Sequence, residues 1–132
     1  MRFQAIDHIA LNVDDVDRAL AFYHEALGLD IERIEEFRAG KVGFPSVRVT
    51  PQTVIDLMPG GKVIRDGRYP LNHFALTLVA DDLVGLRARL VEHEVQIVEE
   101  ARPRWGAQGG QPSMKVLDPD GNIVELKSPP TS

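Results

Sequence analysis

The 132-residue chain contains no cysteine, which excludes disulfide staples, thiolate metal ligands and a cysteine nucleophile together. It lacks a basic excess: 15 Lys and Arg face 20 Asp and Glu, for a net charge of −5 and a pI near 5.3. Nothing in that balance draws the chain to nucleic acid or to an anionic lipid surface. No apolar run approaches the length of a membrane span. The opening Met1-Arg2-Phe3-Gln4 leads directly to Asp7 and His8 without the basic, apolar and small-residue progression of a signal peptide. A cytoplasmic location is therefore expected. Hydrophobic residues at 43% and charged residues at 27% give an ordinary globular balance rather than a disordered one. The length suits a single domain over 1–132.

What is present is a pattern that occurs twice. Asp7-His8-Ile9-Ala10-Leu11-Asn12-Val13-Asp14-Asp15 matches Asn72-His73-Phe74-Ala75-Leu76-Thr77-Leu78, which Asp81 and Asp82 follow. Each copy holds a polar residue and a histidine, then an alternating stretch, then an acidic pair. The histidines lie 65 residues apart (73 − 8), close to half the chain. Val54-Ile55-Asp56-Leu57 likewise matches Ile123-Val124-Glu125-Leu126, and those carboxylates are 69 residues apart (125 − 56). A duplicated module over 1–60 and 70–128 explains both spacings.

Each module reads as strand, helix and three further strands. The first helix starts at Asp14 or Asp15, whose side chain caps free N–H groups, and Gly28 ends it. Val16, Ala19, Leu20, Tyr23 and Leu27 recur at helical spacing. The second helix spans about 82–93, with Leu83, Leu86 and Leu90 as its apolar stripe. Strands are expected near 30–37, 41–49 and 53–58, then near 95–100, 112–117 and 122–127. Asp118-Pro119-Asp120-Gly121 is a hairpin turn. The stretch 59–70 connects the modules.

Strand parity sorts the polar residues. Ile9, Leu11 and Val13 form one row, with His8, Ala10 and Asn12 opposite. Phe74, Leu76 and Leu78 match the first row, and His73, Ala75 and Thr77 the second. Asp56 and Glu125 alternate with apolar neighbours in the same sense. His8, Asp56, His73 and Glu125 are thus expected on the face away from the helices, lining one cavity if the sheets curve together. Two imidazoles and one or two carboxylates suit a divalent first-row cation, with positions left for substrate oxygens. One such residue on a strand is ordinarily structural; recurrence with the same parity in both copies favours a site. His24 and His93 lack such support and are expected at the surface.

The combination of Asp7-His8-Ile9-Ala10, the helix end Ala21-Phe22-Tyr23-His24-Glu25-Ala26-Leu27-Gly28, Asn72-His73, and Asp118-Pro119-Asp120-Gly121-Asn122-Ile123-Val124-Glu125-Leu126 resembles the vicinal oxygen chelate superfamily. The resemblance implies an α+β fold: two βαβββ modules in tandem forming an eight-stranded, partly closed sheet around a cavity, usually in a homodimer. It implies His8, His73 and Glu125 as metal ligands for Zn, Ni, Mn, Co or Fe(II). Asp56 stands where glyoxalase-like members carry Glu or Gln, one methylene longer, and where three-ligand members have no ligand. In glyoxalase I the matching glutamate moves the substrate proton, and the shorter Asp56 is the main departure from that pattern.

The activity so implied is a metal-dependent lyase or isomerase acting on a small substrate with vicinal oxygens, by stabilising an enediolate. Asp56 or Glu125 is the base. An Fe(II) ring-cleaving dioxygenase is the first alternative, since two histidines and a carboxylate suit it. It ranks lower because no additional histidine serves as its acid–base group. A non-catalytic drug- or metabolite-binding protein, like the bleomycin resistance proteins, is the second alternative.

Two surface stretches complete the reading. The loop at 101–110 carries Arg102, Arg104 and Trp105 among glycines and suits a mobile flap. Trp105 is placed to stack on a ligand, and Arg102 or Arg104 to hold an anion; an exposed basic loop with Trp105 against a dimer partner is the equal alternative. Lys62, Arg65, Arg68 and Tyr69 form a basic stretch read as solvated.

Overall fold

Alternating burial builds the first strand, β1 (His8–Val13): Leu11 and Val13 are buried while His8, Ala10 and Asn12 are exposed. In the computed structural model, which describes residues 1–2, 4–60 and 71–131, the chain divides into two compact units, Met1–Asp66 and Gly67–Ser132. The basic stretch at Lys62, Arg65, Arg68 and Tyr69 lies outside the described residues.

In the first unit β1 leads to α1 (Val16–Leu20), which continues as a π-helical stretch over Ala21–Ala26. Asp15 caps α1 as expected, accepting from the Arg18 N–H at 3.2 Å. Gly28 closes the helical run with φ at +80°, its N–H donating to the His24 carbonyl at 2.9 Å. β2 (Asp30–Glu32), α2 (Ile34–Arg38), β3 (Ser46–Thr50) and β4 (Thr53–Pro59) follow. The sheet order is β1-β4-β3-β2, with β1 parallel to β4 and the other pairs antiparallel. Its core is Leu11, Val13, Ala19, Leu20, Phe22, Tyr23, Val47, Ile55 and Leu57.

The second unit repeats this plan. β5 (Phe74–Thr77) precedes α3 (Leu83–Glu92), then β6 (Ile97–Pro103), β7 (Pro112–Leu117) and β8 (Ile123–Lys127). The order β5-β8-β7-β6, with β5 parallel to β8, matches that of the first unit. Asp82 caps α3 through the Gly85 N–H at 2.9 Å. Leu83, Leu90, Met114, Val116, Val124 and Leu126 are buried. Asp118 fixes the β7–β8 turn, accepting from the N–H groups of Asp120 and Asn122 at 2.9 and 2.8 Å, and Gly121 takes φ +89°. None of the helices is long and apolar enough to cross a membrane, among the described residues.

The βαβββ plan and the α+β class are present in both units, and the strands of the described residues form two four-stranded sheets, not closed into a barrel. Three local expectations are corrected. Residues 30–37 do not form one strand: β2 stops at Glu32, Arg33 takes a left-handed φ of 65°, and α2 begins. Glu35 and Glu36 occupy its first turn, where free N–H groups favour acidic side chains. β3 begins at Ser46 rather than near 41, because Gly40 turns with φ +74° and Pro45 has no N–H for a ladder. His24 is not a surface residue; it is half-buried, with Nδ1 2.6 Å from the Leu29 carbonyl oxygen.

Candidate metal centre

In the second unit the parallel pairing of β5 with β8 sets Ala75 level with Glu125. His73, two residues before Ala75, therefore shares a face with that carboxylate. Its Nε2 lies 3.3 Å from Glu125 Oε1. Its Nδ1 lies 2.7 Å from the Asn72 side-chain oxygen, which accepts from it, so in the neutral ring the Nε2 lone pair faces the carboxylate. Glu125 is 5% exposed, and its other oxygen accepts from the Ser113 hydroxyl at 2.8 Å and from Lys127 Nζ at 3.4 Å. Burial, the largest influence, pushes the Glu125 carboxyl up. The Ser113 and Lys127 hydrogen bonds, with the charges of Lys127 and His73, outweigh it and hold the group below the usual carboxylate range.

The first unit has the same register. Ala10 is level with Asp56 in the parallel β1–β4 pair, and His8 stands two residues before Ala10. Asp7 Oδ2 accepts from His8 Nδ1 at 2.8 Å, again leaving Nε2 free of its proton when the ring is neutral. Asp56 Oδ1 accepts from the Ser46 hydroxyl at 2.6 Å, and Ser46 in turn accepts from Arg33 at 3.0 Å. The Asp7 hydrogen bond, assisted by the Asp56 charge, raises the His8 pKa above its ordinary value. Arg33 reaches Ser46 across the Phe44 ring, 4.6 Å from its centroid.

These pairs suit a divalent cation on their donor chemistry. Nε2 of His73 and Oε1 of Glu125 are both acceptors when the ring is neutral, and at 3.3 Å apart either a ring proton or a cation between them satisfies both. Each histidine also has the outer partner that orients imidazole ligands at metal centres. Each unit supplies one imidazole and one carboxylate; among the described residues, neither unit gathers three or more His, Asp or Glu at metal-binding spacing.

The model of the Glyoxalase/Bleomycin resistance protein/Dioxygenase superfamily matches residues 5–126. The chain belongs to this superfamily. It is 29% identical over 126 residues to the glyoxalase domain-containing protein RDO1 of Mycosarcoma maydis, covering 95% of this chain and 68% of that one. It is 27% identical over 127 residues to virulence protein STM3117 of Salmonella typhimurium, covering 96% and 85%. The crystal structure of STM3117 superposes with a TM-score of 0.74 over 97% of this chain and 98% of that one, at 23% identity. That of the fosfomycin resistance protein FosX from Listeria monocytogenes gives 0.69 over 98% and 96%, at 17% identity, a likeness of fold.

The remaining expected site residues of this superfamily member differ in their placement. Trp105 is 87% exposed, and Arg102 is exposed on β6 with Glu99 3.8 Å away. The Arg104 side chain is only 8% exposed. It donates to Glu99 at 2.7 Å, to the Ser113 carbonyl, and to the Ser113 hydroxyl at 3.3 Å. It is committed to the network behind Glu125 rather than open to an anion. Sequence reading missed Ser46, Ser113 and Lys127. Lys127 was accessible to parity, since it is two residues beyond Glu125. The serines were not, because small polar residues in strands carry no signal without the register.

Proposed function

We propose that the chain is a metal-dependent lyase or isomerase of the glyoxalase type, acting on a small substrate with vicinal oxygens. The observation that carries the reading is the repeated pair: an imidazole with Nδ1 anchored by its preceding residue, on the same face as a serine-tethered carboxylate. His8 Nε2, His73 Nε2 and Glu125 Oε1 are the ligands, with Asp56 as the fourth donor or the base. A bound divalent cation (Zn, Ni, Mn, Co or Fe(II)) supplies Lewis acidity toward two neighbouring substrate oxygens. The chain's own part is to fix those donors, to accept a proton from the carbon beside the carbonyl at Asp56 Oδ2, and to cover the substrate with Trp105 and Arg102. A cytoplasmic homodimer is part of the same reading, since four-stranded sheets leave edges that a second copy can cover.

The test is calorimetry of the untagged protein with Zn, Ni, Co and Mn, then with His8→Ala and His73→Ala. One ion per chain, lost in both variants, is expected. Turnover assays with methylglyoxal–thiol adducts, epoxide antibiotics and catechols then identify the reaction class. Binding of a small molecule without metal and without turnover would instead make the chain a sequestering protein.

A further inference from the structure

The ligand faces of the two units are not identical. Two residues beyond the acid, the first unit has Met58 and the second has Lys127. The Lys127 side chain is 8% exposed. Its Nζ lies 3.4 Å from Glu125 Oε2 and donates to the carbonyls of Arg104 at 2.9 Å and Gln111 at 3.3 Å. Three protons thus meet three acceptors, and the ammonium is fully used.

Arg104 and Gln111 are the two legs of one loop. They are joined by the Arg104 N–H to the Gln111 carbonyl at 3.3 Å. At its tip Gly106 and Gly109 exchange N–H···O bonds of 2.9 and 3.1 Å. The loop lies directly on the lysine. A Cβ at Gly106 would stand 2.8 Å from Lys127 Cε and 3.2 Å from Nζ, closer than such atoms pack, so a side chain there displaces the ammonium. Burying an ammonium is costly unless its partners are in place, and Met58 shows that the fold accepts an uncharged residue at the matching position. The charge, the glycine and the loop occur together beside Glu125.

We propose that Lys127 is a positioning residue that ties the 104–111 loop, and with it Trp105, to the Glu125 carboxylate. The inference rests on the reading of Glu125 as a ligand and Trp105 as a substrate contact. It makes the loop's placement depend on the state of the ligand rather than on loop packing alone.

The experiment is amide hydrogen exchange of the full chain without metal, following 104–111 against the β7 and β8 amides. Lys127→Met, which removes two direct bonds to the loop carbonyls, is expected to raise exchange across the loop by more than about tenfold, and Glu125→Gln, which takes the charge from one of the ammonium's three acceptors, by less. The double variant should exchange no faster than Lys127→Met alone, because Glu125 reaches the loop only through Lys127. Gly106→Ala should raise loop exchange in the wild-type background and add nothing to Lys127→Met. If Lys127→Met does not fold, Gly106→Ala with and without Glu125→Gln makes the same comparison. Loop exchange unchanged in Glu125→Gln, or effects that multiply in the double variant, overturns the proposal. Zinc calorimetry on the wild type is scored separately: failure to bind counts against the metal reading, while the exchange result still decides the tie.

Discussion

His73 Nε2 and Glu125 Oε1 face each other at 3.3 Å, while the opposite ring nitrogen of His73 is held by Asn72 at 2.7 Å. The imidazole is thus held from behind with its other nitrogen toward a buried carboxylate. His8 Nδ1 is held in the same way by Asp7 at 2.8 Å.

If these outer contacts orient ligands, removing them should weaken metal binding without removing a donor. Asn72→Ala and Asp7→Ala are each expected to lower metal affinity about 10- to 100-fold. Calorimetry with a single metal checks this. Unchanged affinity in both variants would make the contacts ordinary surface hydrogen bonds.

The His8 shift gives a pH dependence with a definite sign. Its pKa is raised above 6.5, first by the Asp7 hydrogen bond and then by the Asp56 charge. A histidine that holds its proton more tightly when folded contributes stability that is complete below its unfolded pKa. That contribution is lost as pH rises through the folded value. Metal binding takes the opposite sense, since the cation competes with the proton and gains affinity as pH rises through the same range. Following the His8 ring proton by NMR should show a midpoint above 6.5 that falls in Asp7→Asn.

Glu125 behaves in reverse. Its pKa is lowered in the folded chain despite burial, because Ser113, Lys127 and His73 favour the anion. The stabilisation is present above the unfolded value near 4.5 and is lost as pH falls through the lower folded value. Ser113 is fully buried, so Ser113→Ala leaves a carboxylate oxygen short of a donor and should cost about 1.5–3 kcal/mol at neutral pH. Urea denaturation should show that loss, and it should shrink below pH 4.5. An equal loss at both pH values would assign the effect to packing instead.

How far the chain could be read from sequence follows from which physical signals are periodic. Strand alternation placed His8, Ala10, Asp56 and Glu125 on their faces, and the aspartate caps placed both long helices, because each signal is local. The duplication marked His8 and His73, and Asp56 and Glu125, as counterparts, and the pairing of β1 with β4 and of β5 with β8 sets them at matching registers. Arg33 escaped because a left-handed turn at a non-glycine residue has no local signature, and with it went the short α2 and the relay through Ser46. Arg104 was misleading for a related reason. An arginine among glycines looks exposed until the loop's legs are seen closing over Lys127 and turning the guanidinium toward Glu99.

The unequal surroundings of the two acids predict unequal roles. Glu125 has one oxygen held by both Ser113 and Lys127, and its side chain is 6% exposed, so its other oxygen is fixed in direction. Asp56 has one oxygen held by Ser46, with Met58 where Glu125 has its lysine, and its second oxygen has no hydrogen-bond partner among the described residues. A fixed anionic oxygen suits a ligand, and an oxygen that must take and release a proton has to be unencumbered. Glu125→Gln should therefore lower metal affinity at least about 10-fold, beyond which turnover cannot be assessed at ordinary metal concentrations. Asp56→Asn should keep metal affinity within about tenfold of wild type while turnover falls about 10²- to 10⁴-fold. Calorimetry and steady-state kinetics on the same preparations separate the two, and loss of metal from Asp56→Asn with Glu125→Gln still loaded would reverse the assignment.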